Sequence, residues 1–201
     1  MATTILVGSQ VDAGREIIGR LESAGIVVDS ALWLQDEDTD EWRLVIASPC
    51  VDRKGPRYVY ERLSEILATM EEPGVGVGNI SVLAVADRFV RDLKRLVGTN
   101  DSLHNIRVDY PAIGGRTFRS TRIYRVSGGS LEKDARVRVK EDGRLGTVRG
   151  VVDAPGGTRY LVLYDLRPED IQSLGTSPRP PVRLDFGAQD LEFLYVVRAG
   201  A

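Results

Sequence analysis

The chain has 201 residues, 42% hydrophobic and 28% charged, with a formal net charge of -2, which fits one large or two small globular domains. Its single cysteine, Cys50, and single histidine, His104, exclude an internal disulfide framework and a self-contained Cys/His zinc site. No apolar run approaches the ~20 residues that span a bilayer, and Met-Ala-Thr-Thr lacks the basic start of a signal peptide, so a cytoplasmic protein with no membrane partner is expected.

Thr3 to Val7 is a short β-branched run that reads as a strand. Val11, Ile17, Ile18 and Leu21 then follow at helical spacing up to Gly25, with Ser9 or Asp12 placed to cap the helix. Gly8 to Gly14 lacks both the dinucleotide glycine spacing and the lysine of a phosphate loop. Ile26–Val28 with Ala31–Leu34 reads as one strand and Trp42–Ala47 as the next, joined through Asp36-Glu37-Asp38-Thr39-Asp40. Matching the apolar positions pairs Leu34 with Trp42 and Leu32 with Leu44, and leaves Trp33 opposite Arg43. The aspartates mimic the first ligands of a calcium loop, but Glu41 and Ala47 stand where that loop needs Gly and Glu. The stretch reads as a solvated turn.

Gly55-Pro56 opens a second helix with Val59, Leu63, Ile66, Leu67 and Met70 on one stripe, stopped at Glu71 to Gly74. Ile80 to Val85 is nearly continuous apolar sequence, which predicts a strand buried on both faces. Phe89, Val90, Leu93, Leu96 and Val97 mark a third helix ending at Gly98. Ile106–Tyr110 and Thr117–Val126 read as strands around a turn at Pro111 to Gly115. The N-terminal domain, residues 1–126, is therefore expected to be α/β (α+β) with a mixed sheet in the order β-α-β-β-α-β-α-β-β.

Residues 127–134 begin with Ser127-Gly128-Gly129-Ser130 and read as a linker. Beyond them Val137–Val139, Gly146–Val152, Tyr160–Tyr164, Val182–Phe186 and Phe193–Val197 are five short runs split by turn residues, which predicts an all-β domain over 135–201. The connection from Asp165 to Pro181 is too long for a tight turn. Residues 135–197 resemble an SH3-like small barrel of the KOW or Tudor type, in Ala135 to Val139 before Asp142 to Val148, then Tyr160 to Tyr164, Val182 to Phe186 and Asp190 to Glu192. That resemblance implies binding to RNA, ribosomal partners, methylated side chains or other proteins. Its charge balance departs from basic RNA-binding copies, and no set of aromatics forms a methyl-lysine cage.

Charge is unevenly spread. Residues 1–85 hold 7 Lys/Arg against 14 Asp/Glu, and residues 86–126 hold 9 against 4. Arg116, Arg119, Arg122 and Arg125, with Phe118 and Tyr124 interleaved, offer phosphate contacts and stacking surfaces for nucleic acid. Residues three apart alternate faces of a strand, however, so the four arginines do not form one row. An enzymatic alternative is a Mg²⁺-dependent nuclease of the PD-(D/E)xK type, with carboxylates of Asp29 and Asp52 on the metal and Lys54 steadying developing charge. His104 lacks a nucleophile elbow, and Cys50 has Arg53 and Lys54 near in sequence. The expectation that results is a non-catalytic binding or adaptor protein without a cofactor, contacting a protein or a nucleic acid. A nuclease and a structural subunit of a larger assembly stand as alternatives.

Overall fold

A computed structural model describes residues 6–71, 74–109, 111–155, 157–165 and 182–198. Most of the expected strand at Thr3–Val7, part of the stop at Glu71 to Gly74 and most of the Asp165–Pro181 connection lie outside them. The chain is mixed in content, with helices and two sheets, and it divides into two compact units. The first holds Met1–Leu96 and Asp101–Ser127; the second holds Val97–Asn100 and Gly128–Ala201.

In the first unit, α1 (Gly8–Ser23) precedes strands β1 (Ser30–Asp36) and β2 (Trp42–Ala47), then helices α2 (Pro49–Lys54) and α3 (Pro56–Ala68). Strand β3 (Ile80–Leu83) and helix α4 (Arg88–Leu96) follow. After β4 (Val97–Thr99), which belongs to the second unit, come β5 (Ile106–Asp109), β6 (Ala112–Ile113) and β7 (Arg116–Val126). The main path of the sheet is β3-β2-β1-β7-β5, with β6 on β7; β2 and β3 run parallel and the other pairs antiparallel. Neither Ser9 nor Asp12 caps α1: both lie within it, and Val7 is the N-cap, its N–H bonded to Gln10 Oε1 at 3.2 Å.

The hairpin register differs by one residue from the expected pairing. Trp33 faces Leu44, Leu34 faces Arg43, and Gln35 faces Trp42. Hydrophobic matching cannot set this register, because β1 is buried on both faces. The turn sets it instead. Asp36 Oδ1 accepts from the N–H groups of Asp38 and Thr39, Asp36 N–H bonds to Glu41 O, and Asp40 takes φ 64°, a left-handed conformation that Asp tolerates.

Helices α1 and α3 cover one face of the sheet. Ile17, Ile18, Leu21, Val59 and Leu63 pack with Trp33, Leu44, Ile46, Ile80, Val82 and Tyr124. The buried tie at the centre is Trp33 Nε1–H donating to Tyr124 Oη at 2.9 Å, while the Tyr124 hydroxyl donates to Val11 O of α1 at 2.5 Å. Burial pushes the Tyr124 phenol up to about 12, with the Trp33 indole N–H opposing. Two irregularities in the β1–β7 register leave Tyr124 and Arg119 as extra residues on β7, which re-aims the side chains around them.

In the second unit, β8 (Arg136–Val139), β9 (Leu145–Ala154), β10 (Gly157–Tyr164), β11 (Val182–Gly187) and β12 (Leu191–Val197) occupy all five expected runs. The sheet order is β11-β10-β9-β8-β12-β4, antiparallel throughout, with a 3-10 turn at Ala188–Asp190 between β11 and β12. Val137, Val139, Val148, Val162, Phe186 and Val196 lie in its core. The third helix stops one residue short of the expected Val97, because Val97–Thr99 pairs with β12 instead.

Candidate binding concavity

The face of the first sheet opposite α1 and α3 carries a depression with an apolar floor. Strand alternation puts Leu34 and Asp36 of β1, Arg43 and Val45 of β2, and Ser81 and Leu83 of β3 on that face. Phe118 joins them through its pairing with Asp36, and Phe89 enters from the start of α4. Together they enclose about 440 Å³, within the ~300–1,000 Å³ that ligand pockets occupy. Leu34, Val45, Leu83, Phe89 and Phe118 make the floor, and the two phenyl rings meet edge to face at 6.0 Å.

The rim is polar, with the carboxylates of Asp36, Glu41 and Asp87 against the guanidiniums of Arg43 and Arg116. Arg43 donates to Gly78 O at 3.2 Å, and Arg116 binds Asp36 at 2.8 Å while lying 5.6 Å from the Phe118 ring centre. The turn N–H of Thr39, with help from Asp38 and Arg116, holds the Asp36 carboxyl below its ordinary value against the effect of burial. Asp87 Oδ1 accepts from Phe89 N–H at 2.7 Å and so fixes the ring that closes one side. Glu41 adds a further carboxylate. Such a site can take an uncharged apolar group and orient the polar atoms around it.

The arginines considered for nucleic acid lie apart, three of them beside carboxylates. Arg116 pairs with Asp36, Arg119 Nε lies 3.0 Å from Asp40 Oδ1, and Arg125 pairs with Glu22 of α1 while also donating to Val28 O. Arg122 sits on the helix-covered face opposite Trp33. Tyr124 is fully buried, so it is not a surface for base stacking, and Phe118 lies in the floor of the concavity. The acidic hairpin thus pairs with two of the four arginines, Arg116 and Arg119, and α1 with a third, Arg125.

The expected Asp29, Asp52 and Lys54 each have another partner. Both Asp29 oxygens lie 2.9 Å from Lys94 Nζ, and Ser30 Oγ–H donates to one of them. Asp52 accepts from Val85 N–H at 2.9 Å and Ala86 N–H at 3.3 Å, which ends β3 at Leu83 instead of the expected Val85. Lys54 Nζ stands 4.1 Å over the Tyr58 ring. Among the described residues, no three His, Cys, Asp or Glu side chains gather to hold a metal ion. Cys50 is buried; burial raises its thiol pKa, but the Ser48 hydroxyl and Arg53 outweigh that and leave it below the ordinary range.

Of the residues lining the concavity, Arg116 and Phe118 stand out in the sequence as contacts for nucleic acid, and Asp36 and Glu41 only as part of a solvated acidic turn. The others come from β1, β2, β3, the acidic turn and α4, and no local signal unites them. No helix among the described residues is long and apolar enough to cross a membrane. In comparisons with known proteins, no family model matches this chain, and neither does any curated protein or solved structure.

Proposed function

We propose that the protein is a non-catalytic adaptor that binds a protein partner, with the concavity floored by Leu34, Val45, Leu83, Phe89 and Phe118 receiving an apolar side chain of that partner. The observation that carries this reading is the floor of Leu34, Val45, Leu83, Phe89 and Phe118 inside a rim of three carboxylates and two guanidiniums, of which Asp36 and Arg116 are paired. A polyanion gains little from such a rim, whereas burial of one large apolar side chain contributes about 1.5–3 kcal/mol.

The second unit supplies the other contact in this reading, as an SH3-like barrel of the KOW or Tudor type. Support comes from the β8 to β12 meander, the return of β12 to pair with β8, and the 3-10 turn before β12. Two linked sites of modest affinity gain avidity through effective concentration.

The test is selection of random phage-displayed peptides on the full chain, alongside anisotropy with labelled single-stranded RNA and duplex DNA at two salt concentrations. Enriched peptides sharing an apolar anchor, with no salt-sensitive nucleic-acid binding, are expected. Salt-sensitive binding to either nucleic acid without peptide enrichment would overturn the reading.

A further inference from the structure

Strand β3 is an edge of the first sheet among the described residues, and its sequence Ile80-Ser81-Val82-Leu83 carries no charge. An unpaired strand edge presents N–H and C=O groups on which another chain can pair, and charged side chains are one usual deterrent. The opposite edge, β5, carries the exposed ion pair Arg107–Asp109 at 2.8 Å, one of the usual deterrents. On β3 the deterrent comes from elsewhere in the chain.

Tyr60, on α3, donates its hydroxyl proton to Ile80 O at 3.2 Å and accepts from Val82 N–H at 3.1 Å. The phase of these two bonds is informative. Backbone polar groups of successive strand residues point to opposite sides. Leu83 O faces β2, where it accepts from Ser48 N–H at 3.1 Å, so Ile80 and Val82 point outward. In a parallel ladder, one residue of the neighbouring strand donates to the carbonyl at i−1 and accepts from the N–H at i+1. About Ser81, those groups are Ile80 O and Val82 N–H. One phenol oxygen therefore makes both bonds that a residue of an added parallel strand would make.

We propose that Tyr60 is an edge guard: its hydroxyl stands in for one residue of a parallel neighbour and keeps a second copy of this chain from extending the sheet across β3. The ring is partly buried against the α1/α3 core, which holds the hydroxyl in place. The proposal is independent of the concavity, because Tyr60 does not line it.

Tyr60→Phe keeps the ring and removes both bonds. In the variant, amide deuterium exchange at Val82 is expected to rise at least tenfold, while Leu44 in the sheet interior is unchanged. Sedimentation velocity is expected to show concentration-dependent association over a range where the wild-type sedimentation coefficient is constant. Unchanged Val82 exchange, or faster exchange with no added association, would overturn the proposal. Wild-type protein gives a check that does not depend on the variant folding: Val82 N–H must be protected although it faces the sheet edge, and rapid wild-type exchange there refutes the guard.

Discussion

Gly14, in the middle of α1, should tolerate alanine badly, against the usual rule. In an ordinary helix interior Gly→Ala stabilises by about 0.5–1 kcal/mol, because glycine loses the most backbone freedom on folding. Here a Cβ at position 14 would stand 2.6 Å from Tyr124 Oη and 2.8 Å from Trp33 Nε1. Those two atoms form the buried bond that ties β1 to β7, so neither can yield without exposing the other. Overpacking costs about 1–3 kcal/mol, and a buried donor or acceptor left unpaired costs about as much. Gly14→Ala is therefore expected to destabilise the first unit by about 1–3 kcal/mol after the helix gain is subtracted. Both tryptophans, Trp33 and Trp42, lie in this unit, so fluorescence in urea reports it without the second. The expected result is a lower midpoint at constant slope. Tyr124→Phe removes the atom nearest the added methyl, although Tyr124 Cε2 stays 3.1 Å away. The double variant should cost less than the sum of the singles by about 1 kcal/mol. A Gly14→Ala protein as stable as wild type, or more stable, would refute the reasoning.

Other tests address different parts of the chain. Asp36 and Asp109 are both held below their ordinary pKa, Asp36 chiefly by the Thr39 N–H and Asp109 chiefly by the Ser120 hydroxyl with Arg107. Their contribution is present above the unfolded carboxylate value of about 4 and is lost as pH falls through the folded values. The melting temperature should drop below about pH 4, less steeply in Asp36→Asn, as calorimetry would read. Asp52→Ala should cost about 1–2 kcal/mol in the same urea titration, because Val85 and Ala86 N–H lose their acceptor; no Mg²⁺-dependent cleavage is expected from wild type or Lys54→Ala. In the second unit, a Cβ on Gly98 would lie 2.6 Å from Gly129 Cα, so Gly98→Ala should loosen the β4–β12 pairing, read as faster amide exchange at Asn100, whose N–H donates to Leu194 O at 2.9 Å.

How much of this was legible in the sequence depends on how local the deciding contact is. Trp42–Ala47 and the helix opening at Pro56 are bounded by their own turn, cap and proline, and the five runs after Ala135 are each isolated by turn residues. The register of β1 was not legible, because a strand buried on both faces has no alternation to read and the turn backbone decides. Val97-Gly98-Thr99 follows α4 without a break and becomes a strand only by pairing with β12, nearly a hundred residues later. Helix α2 has six residues, too few for a periodic signal. The site was the least legible part. Arg116 and Phe118 drew notice as a basic aromatic pattern, but their roles follow from Asp36 and Phe89, neither of which is near them in sequence.

The most direct test of the central claim is the affinity of one selected peptide, by anisotropy, for wild type, Leu83→Lys and Arg57→Ala. Leu83 is half-buried on the concavity floor, while Arg57 lies on exposed α3 surface paired with Glu61. An ammonium group on the floor removes the burial gain of about 1.5–3 kcal/mol, so Leu83→Lys should weaken binding at least tenfold. Arg57→Ala should leave it unchanged. Equal affinity for all three proteins would contradict the assignment of this concavity as the binding site.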